Sequence, residues 1–267
     1  MNTSTLTATR LIVALMLAGL SFSHAARAES GLEDIRFVTG ASLGYTNFSF
    51  KEKLDQTLTF PSATVTLAAT LNRWQVSLNG AYTLKDADVS EEEDVGDASR
   101  EDIDLTIGYQ INRNWAVFGG YKTGETSIDF RPREVADGEI AFSQNESYEQ
   151  KGPYIGISYT LALERAGSLN FSAAYADLDA DNKFTANTDE PEGPEELEFD
   201  DLTGSVSGDT KGISYALTWT MPLAGNWLFQ TRFKYNDYQQ DVTFAGRTFS
   251  NVDETLHSLH VGLACVF

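Results

Sequence analysis

The sequence predicts an all-β protein: a ten-stranded antiparallel up-and-down β-barrel that crosses a membrane. Three observations carry this reading. The chain ends on a strand with an apolar residue at every second position, and a secretory signal stands at its other end. Between them run segments of about ten residues that alternate apolar with small polar side chains, the length a tilted strand needs to cross a bilayer.

In the terminal strand Phe267, Cys265, Leu263, Val261 and Leu259 alternate with Ala264, Gly262, His260 and Ser258, with Val266 the one bulky exception. A period of two puts one face in lipid and the other in a lumen. Cys265 falls on the lipid face, where a thiol acts as a small apolar filler. It is the only cysteine, so no intrachain disulfide can form.

At the amino end, Arg10 precedes the apolar run 11–20, and small residues lead to Ala26, Arg27 and Ala28. That order reads as a cleaved signal peptide over 1–28. The run is shorter than the roughly 20 residues of a spanning helix, and no cysteine follows it to direct lipoprotein processing. The remainder, 29–267, is expected to form one barrel domain. Removing Arg10 and Arg27 leaves 17 basic residues against 39 acidic ones, a net charge of −22. Such a field excludes nucleic acid as a partner and fits water-facing loops and divalent cations.

Strands are expected at 35–48, 58–71, 74–85, 101–111, 115–126, 148–161, 168–179, 209–221, 227–238 and 255–267. In the third, Trp74, Val76, Leu78 and Tyr82 oppose Gln75, Ser77, Asn79 and Ala81. In the fourth, Ile103, Leu105 and Ile107 oppose Asp102, Asp104 and Thr106. A soluble sandwich alternates too, but with a charged outer face; here the polar face is small and the apolar face carries aromatics. Connections at 72–73, 112–114, 164–167 and 222–226 are short. Those near 49–57, 86–100, 127–147, 180–208 and 239–254 are long and polar, so the two ends of the barrel differ. An even strand count puts both termini at the short-turn end.

Trp74, Trp115 and Trp227 each follow a short turn, and with Phe267 they fit a membrane-interface girdle. Tyr45, Tyr82, Tyr121, Tyr175 and Tyr235 recur near the opposite strand ends. The run Gly156-Ile157-Ser158-Tyr159 returns as Gly212-Ile213-Ser214-Tyr215, which points to hairpin duplication.

Inward charges are expected at Arg36, Lys85, Asp102, Asp104, Lys122, Arg232, Lys234 and Glu254, with His260 opposite Arg232. A neutralising network in the lumen is the first reading, and a selectivity ring the alternative. Asp177, Asp179 and Asp181 have the spacing that opens a calcium loop. The sixth position lacks Gly and the twelfth is Thr188, so they are weak metal candidates.

Signal peptide, aromatic girdles, hairpin lengths and terminal Phe267 together resemble the small outer-membrane β-barrels of Gram-negative bacteria, the porin-like and OmpA/OmpX-like superfamily. The resemblance implies an outer-membrane location and contact with outer-membrane lipid and lipopolysaccharide. It also implies recognition of the C-terminal strand by the barrel-assembly machinery. No cofactor is expected. Omptin proteases share the strand count, but they pair inward acids with an Asp-His couple. Here only His257 and His260 remain after cleavage, and His257 points outward, so the general base is missing and no enzyme is expected. Two functions stay open. One is a narrow porin-like channel for ions or small solutes. The other is a non-conducting surface protein whose acidic loops bind a partner or divalent cations and stabilise the envelope.

Overall fold

The computed structural model describes residues 35–51, 57–91, 94–132, 144–184, 204–244 and 247–267. The expected signal peptide at 1–28 and most of the acidic stretch near 180–208 lie outside the described residues. The strands are β1 (Ile35–Phe50), β2 (Leu58–Leu71), β3 (Trp74–Thr83), β4 (Ala87–Glu91), β5 (Asp94–Gln110), β6 (Trp115–Pro132), β7 (Gln144–Ala162), β8 (Ser168–Phe184), β9 (Gly204–Pro222), β10 (Trp227–Phe244) and β11 (Arg247–Val266).

Each strand pairs antiparallel with its neighbour, and β1 pairs with β11 from Val38↔Val266 to Phe50↔Glu254, so the sheet closes. β3 and β4 are two pieces of one stave, because both pair with β5. The interruption falls at 84–86, where the Leu84 N–H donates to the Pro61 carbonyl (2.8 Å). The ring therefore has ten staves, as the alternation predicts.

Register partners lie on one face. Stepping from Val38 to Ala68, Ser77, Thr106, Gly120, Tyr154, Ala176, Gly212, Tyr238 and Glu254 returns to β1 at Phe50. The return lies twelve residues further on, which is the shear of the barrel. At ~3.3 Å per residue and ~4.8 Å between strands, ten staves with this stagger tilt by about 40°.

The outward face falls into two zones. Near the termini it is apolar: Phe37 to Tyr45 on β1, Tyr109 to Ile103 on β5, Trp227 to Tyr235 on β10 and Leu259 to Phe267 on β11. Nine residues at this tilt span roughly 23 Å, close to the ~25 Å apolar band of membrane barrels. Trp74, Trp115, Trp227 and Phe267 stand on this face at the terminal end; Trp74 is 55% exposed. Two of them pack at a tilt against cross-strand tyrosines, Trp74 on Tyr109 (4.8 Å) and Trp115 on Tyr159 (4.9 Å). Among the described residues no helix is long and apolar enough to cross a membrane.

Beyond Tyr45, Tyr121, Tyr175 and Tyr235 the polarity inverts. Outward positions become Glu125, Asp129, Asp177, Asp179, Asp181, Asp237, Asp241 and Asp253, while inward ones turn largely apolar beyond a belt of buried polar groups. Here the structure corrects the expected boundaries. β1, β5, β6, β7, β8, β9, β10 and β11 all run past them, and the stretches near 86–100 and 239–254 are largely paired strand. Above the hydrocarbon a barrel wall meets water, so acids face out and the apolar set turns in. Asp177, Asp179 and Asp181 are a second correction, since they lie along the outer face of β8 rather than in a loop.

Candidate functional site

The lumen has three layers, built by the inward residues of every stave. At the terminal end is a cavity of about 400 Å³ lined by side chains small enough to leave space. Hydroxyls come from Ser42, Thr64, Thr66, Ser77 and Ser214, and amides from Gln75, Asn79, Asn170 and Gln230. Two rings narrow it. Phe118 and Tyr154 meet edge to face at 6.3 Å, each laid over a glycine of the next stave. A Cβ on Gly120 would come within 2.6 Å of the Tyr154 hydroxyl, and one on Gly156 would strike the Phe118 ring. Several small inward residues are thus seats for aromatics rather than empty wall.

Of the expected lumen charges, Asp104, Lys122, Arg232, Lys234 and His260 line this one cavity. Asp104 accepts from Asn79 Nδ2 (2.9 Å) and is the register partner of Lys122. His260 is buried, and its Nε2 lies 2.9 Å from Ser62 Oγ. Arg36 faces inward at the terminal rim, exposed and outside the cavity lining. Lys85 is a correction: it falls in the interruption between β3 and β4, exposed, and does not line the cavity. The wall turns there, so strict alternation no longer reports direction.

Above the cavity lies a belt of buried polar groups. Lys122 donates to Tyr238 Oη (2.9 Å), which also meets Ser214 Oγ (2.7 Å). Arg100, 5% exposed, forks onto Asp102 through Nε (2.9 Å) and Nη2 (2.8 Å), and its Nη1 donates to Thr126 (2.7 Å). Glu254 accepts from Gln150 Nε2. Its outward neighbours on β11 are Asp253 and Thr255, so it stands above the hydrocarbon, where burial pushes its carboxyl up to about 7 against the pull of Arg100 and Lys122. The alternation names Asp102 and Glu254 as inward but misses Arg100, which reads as loop.

The third layer is mostly apolar, with Glu146 buried in it on the Tyr148 hydroxyl and Asn182 on Gln240. Phe48, Phe50, Leu58, Phe60, Ile128 and Val252 are fully buried inside the far half of the barrel. Tyr148 closes on Phe50 edge to face at 5.0 Å, and the Arg100 guanidinium caps Phe48 at 5.2 Å. Among the described residues the lumen is therefore polar and roomy near the termini and filled at the other end.

His257 faces outward onto Asn47 (3.1 Å) and His260 binds Ser62, so neither meets a carboxylate among the described residues. Asp102 is taken by Arg100. Among the same residues no group of three His, Cys, Asp or Glu could hold a metal ion. Asp181 instead pairs with Lys151 (2.9 Å), and Asp177 with Lys211 (3.8 Å).

No protein-family description matches the chain, and no curated protein matches it in sequence. Solved structures do. The outer membrane protease OmpT from Escherichia coli is 13% identical with a TM-score of 0.50, covering 90% of this chain and 99% of that one. The translocator domain of autotransporter NalP from Neisseria meningitidis is also 13% identical with a TM-score of 0.50, covering 98% of this chain and 97% of that one. At such identity the likeness speaks for the fold alone. With the apolar outer band and closed ring, it gives this chain the fold of the transmembrane outer-membrane β-barrels. More particularly, it is a closed ten-stranded antiparallel barrel with the described chain ends and the short turns at one end.

Proposed function

We propose that this barrel does not conduct. In this reading it is a non-enzymatic surface protein that holds a rigid acidic crown above the outer membrane. The observation that carries the reading is the apolar core of the crown. An aqueous path would have to separate Phe48, Phe50, Leu58, Phe60, Ile128 and Val252. At ~1.5–3 kcal/mol for each exposed side chain, parting them costs roughly 10 kcal/mol or more, as much as the whole stability of many domains. A porin-like channel takes second place, favoured only by the open periplasmic half of the lumen. The crown's partners are proposed from its charge: lipopolysaccharide bridged by divalent cations at the rim, or a cationic surface beyond it. Recognition of the Phe267 strand by the assembly machinery is part of the same proposal.

Reconstitution in a planar bilayer tests it. The expected record is a flat baseline at ±100 mV, and reproducible open-channel steps from the purified protein would reverse the order of the two readings.

A further inference from the structure

Arg232 and Lys234 stand two residues apart on the inward face of β10, about 6.6 Å from each other along the strand. Their cross-strand neighbours are His260 and Thr218 for Arg232, and Ser258 and Ala216 for Lys234. None is acidic. Among the described residues neither cation makes an ion pair, although the crown above carries several. The cavity's other cation, Lys122, has Asp104 beside it and Tyr238 as acceptor. In a chain of net charge −20 the cavity lining thus gathers three cations, Arg232, Lys234 and Lys122, against one carboxylate, Asp104, which acts on Lys234 as well as standing beside Lys122. Neighbouring like charges on one face repel, and an anion held between them relieves that repulsion.

We propose that the periplasmic cup is a binding site for a small hydroxyl-rich oxyanion of the sugar-phosphate class. Arg232 and Lys234 take the anionic group, Arg232 as a planar fork and Lys234 as a point charge. The hydroxyls and amides of Thr64, Ser77, Asn79 and Gln230 meet the ligand's hydroxyls, and the Tyr154 ring supplies an apolar wall. A volume of about 400 Å³ lies within the range of small-molecule sites, roughly 300–1,000 Å³. Arg232 and Gln75 face inward yet remain exposed, so the cup opens toward the periplasm. The proposal rests on the closed-crown reading only for the side from which the ligand arrives.

Calorimetric titration of the full folded barrel in a zwitterionic detergent tests it, with glucose 6-phosphate as probe and glucose and inorganic phosphate as comparators. Glucose 6-phosphate is expected to bind saturably at one site. Phosphate should bind at least tenfold more weakly, and glucose should give no measurable heat. In Arg232→Gln/Lys234→Gln the affinity should fall at least tenfold while the heat-modifiable gel shift is retained. Should that variant not fold, wild-type titrations at 150 and 500 mM KCl give the second readout, with affinity falling as salt rises. Three results overturn the site: no saturable heat, affinity unchanged in the folded variant, or affinity indifferent to salt. Phosphate binding as tight as the sugar phosphate overturns the hydroxylated class. All of these leave the conductance record untouched, so the two proposals fail separately.

Discussion

Arg100 and Asp102 face the lumen two residues apart on β5, and the guanidinium spans the gap with two hydrogen bonds, 2.9 and 2.8 Å, to the two carboxylate oxygens. The pair sits where the polar belt meets the apolar crown, with Thr126 and the Phe48 ring holding the rest of the guanidinium. Asp102 is the more open partner, so Asp102→Ala strands a cation that is 5% exposed. Breaking one side of a buried pair costs about 3–5 kcal/mol. The urea midpoint of the folded barrel, followed by tryptophan fluorescence, should fall accordingly. Arg100→Met/Asp102→Ala should recover much of the loss, because the second change removes the orphaned charge. A double variant no better than the single one would show that the pair's geometry, rather than its charge balance, is what matters.

That same arginine marks where the sequence is legible. In the membrane zone the rule is simple, with grease outward and small polar groups inward, so Trp74, Trp115 and Trp227 locate strand starts to the residue. The crown keeps the period of two and its phase but exchanges the two faces. Asp97, Ser99 and Glu101 point to water while Ala98 and Arg100 point in, and an eye tuned to lipid reads acidic loop. The available signal was the unbroken alternation of Ile128 and Phe130 with Ser127 and Asp129. The site is half legible for a related reason. Parity gives direction, so Asp104, Lys122, Arg232, Lys234 and His260 fall into one inward set. Height along a sheared barrel depends on register across ten staves, and only the structure separates cup from belt.

The crown core makes a mechanical prediction. Phe48 is fully buried against Phe50 (6.5 Å) and Tyr148 (6.1 Å). Phe48→Ala should cost about 3–5 kcal/mol, the usual toll of a large-to-small change in a packed core. Tyr45→Ala, three residues back and facing outward, serves as comparison and should cost clearly less in the same urea series. Equal losses would mean that the crown is no better packed than the lipid-facing wall.

Calcium should find no chelating site on β8. Alternate residues of a strand lie about 6.6 Å apart, too far for Asp177, Asp179 and Asp181 to close on one ion at 2.3–2.6 Å. Lys211 and Lys151 already pair with the first and last. Titration with calcium chloride is therefore expected to give the same isotherm for the folded wild-type barrel and for Asp179→Asn. A saturable isotherm abolished by Asp179→Asn would contradict this and return the acidic stretch to the list of ligand sites.

Glu254 predicts how the crown responds to pH. Its carboxyl is raised from the ordinary glutamate range to about 7, chiefly by burial. The folded barrel therefore holds a proton that the unfolded chain has already released. A raised acid favours the fold fully below the unfolded value, near 4.5, and that contribution is lost as pH rises through about 7, after which it stays constant. Other groups titrate over the same window, so the useful quantity is the stability of wild type minus that of Glu254→Gln. Glutamine keeps an acceptor for Gln150 without a charge to desolvate. The difference should decline steadily between pH 4.5 and 7 and level off above. Urea midpoints at four pH values across that range measure it, and a flat difference would place the Glu254 proton elsewhere in the belt.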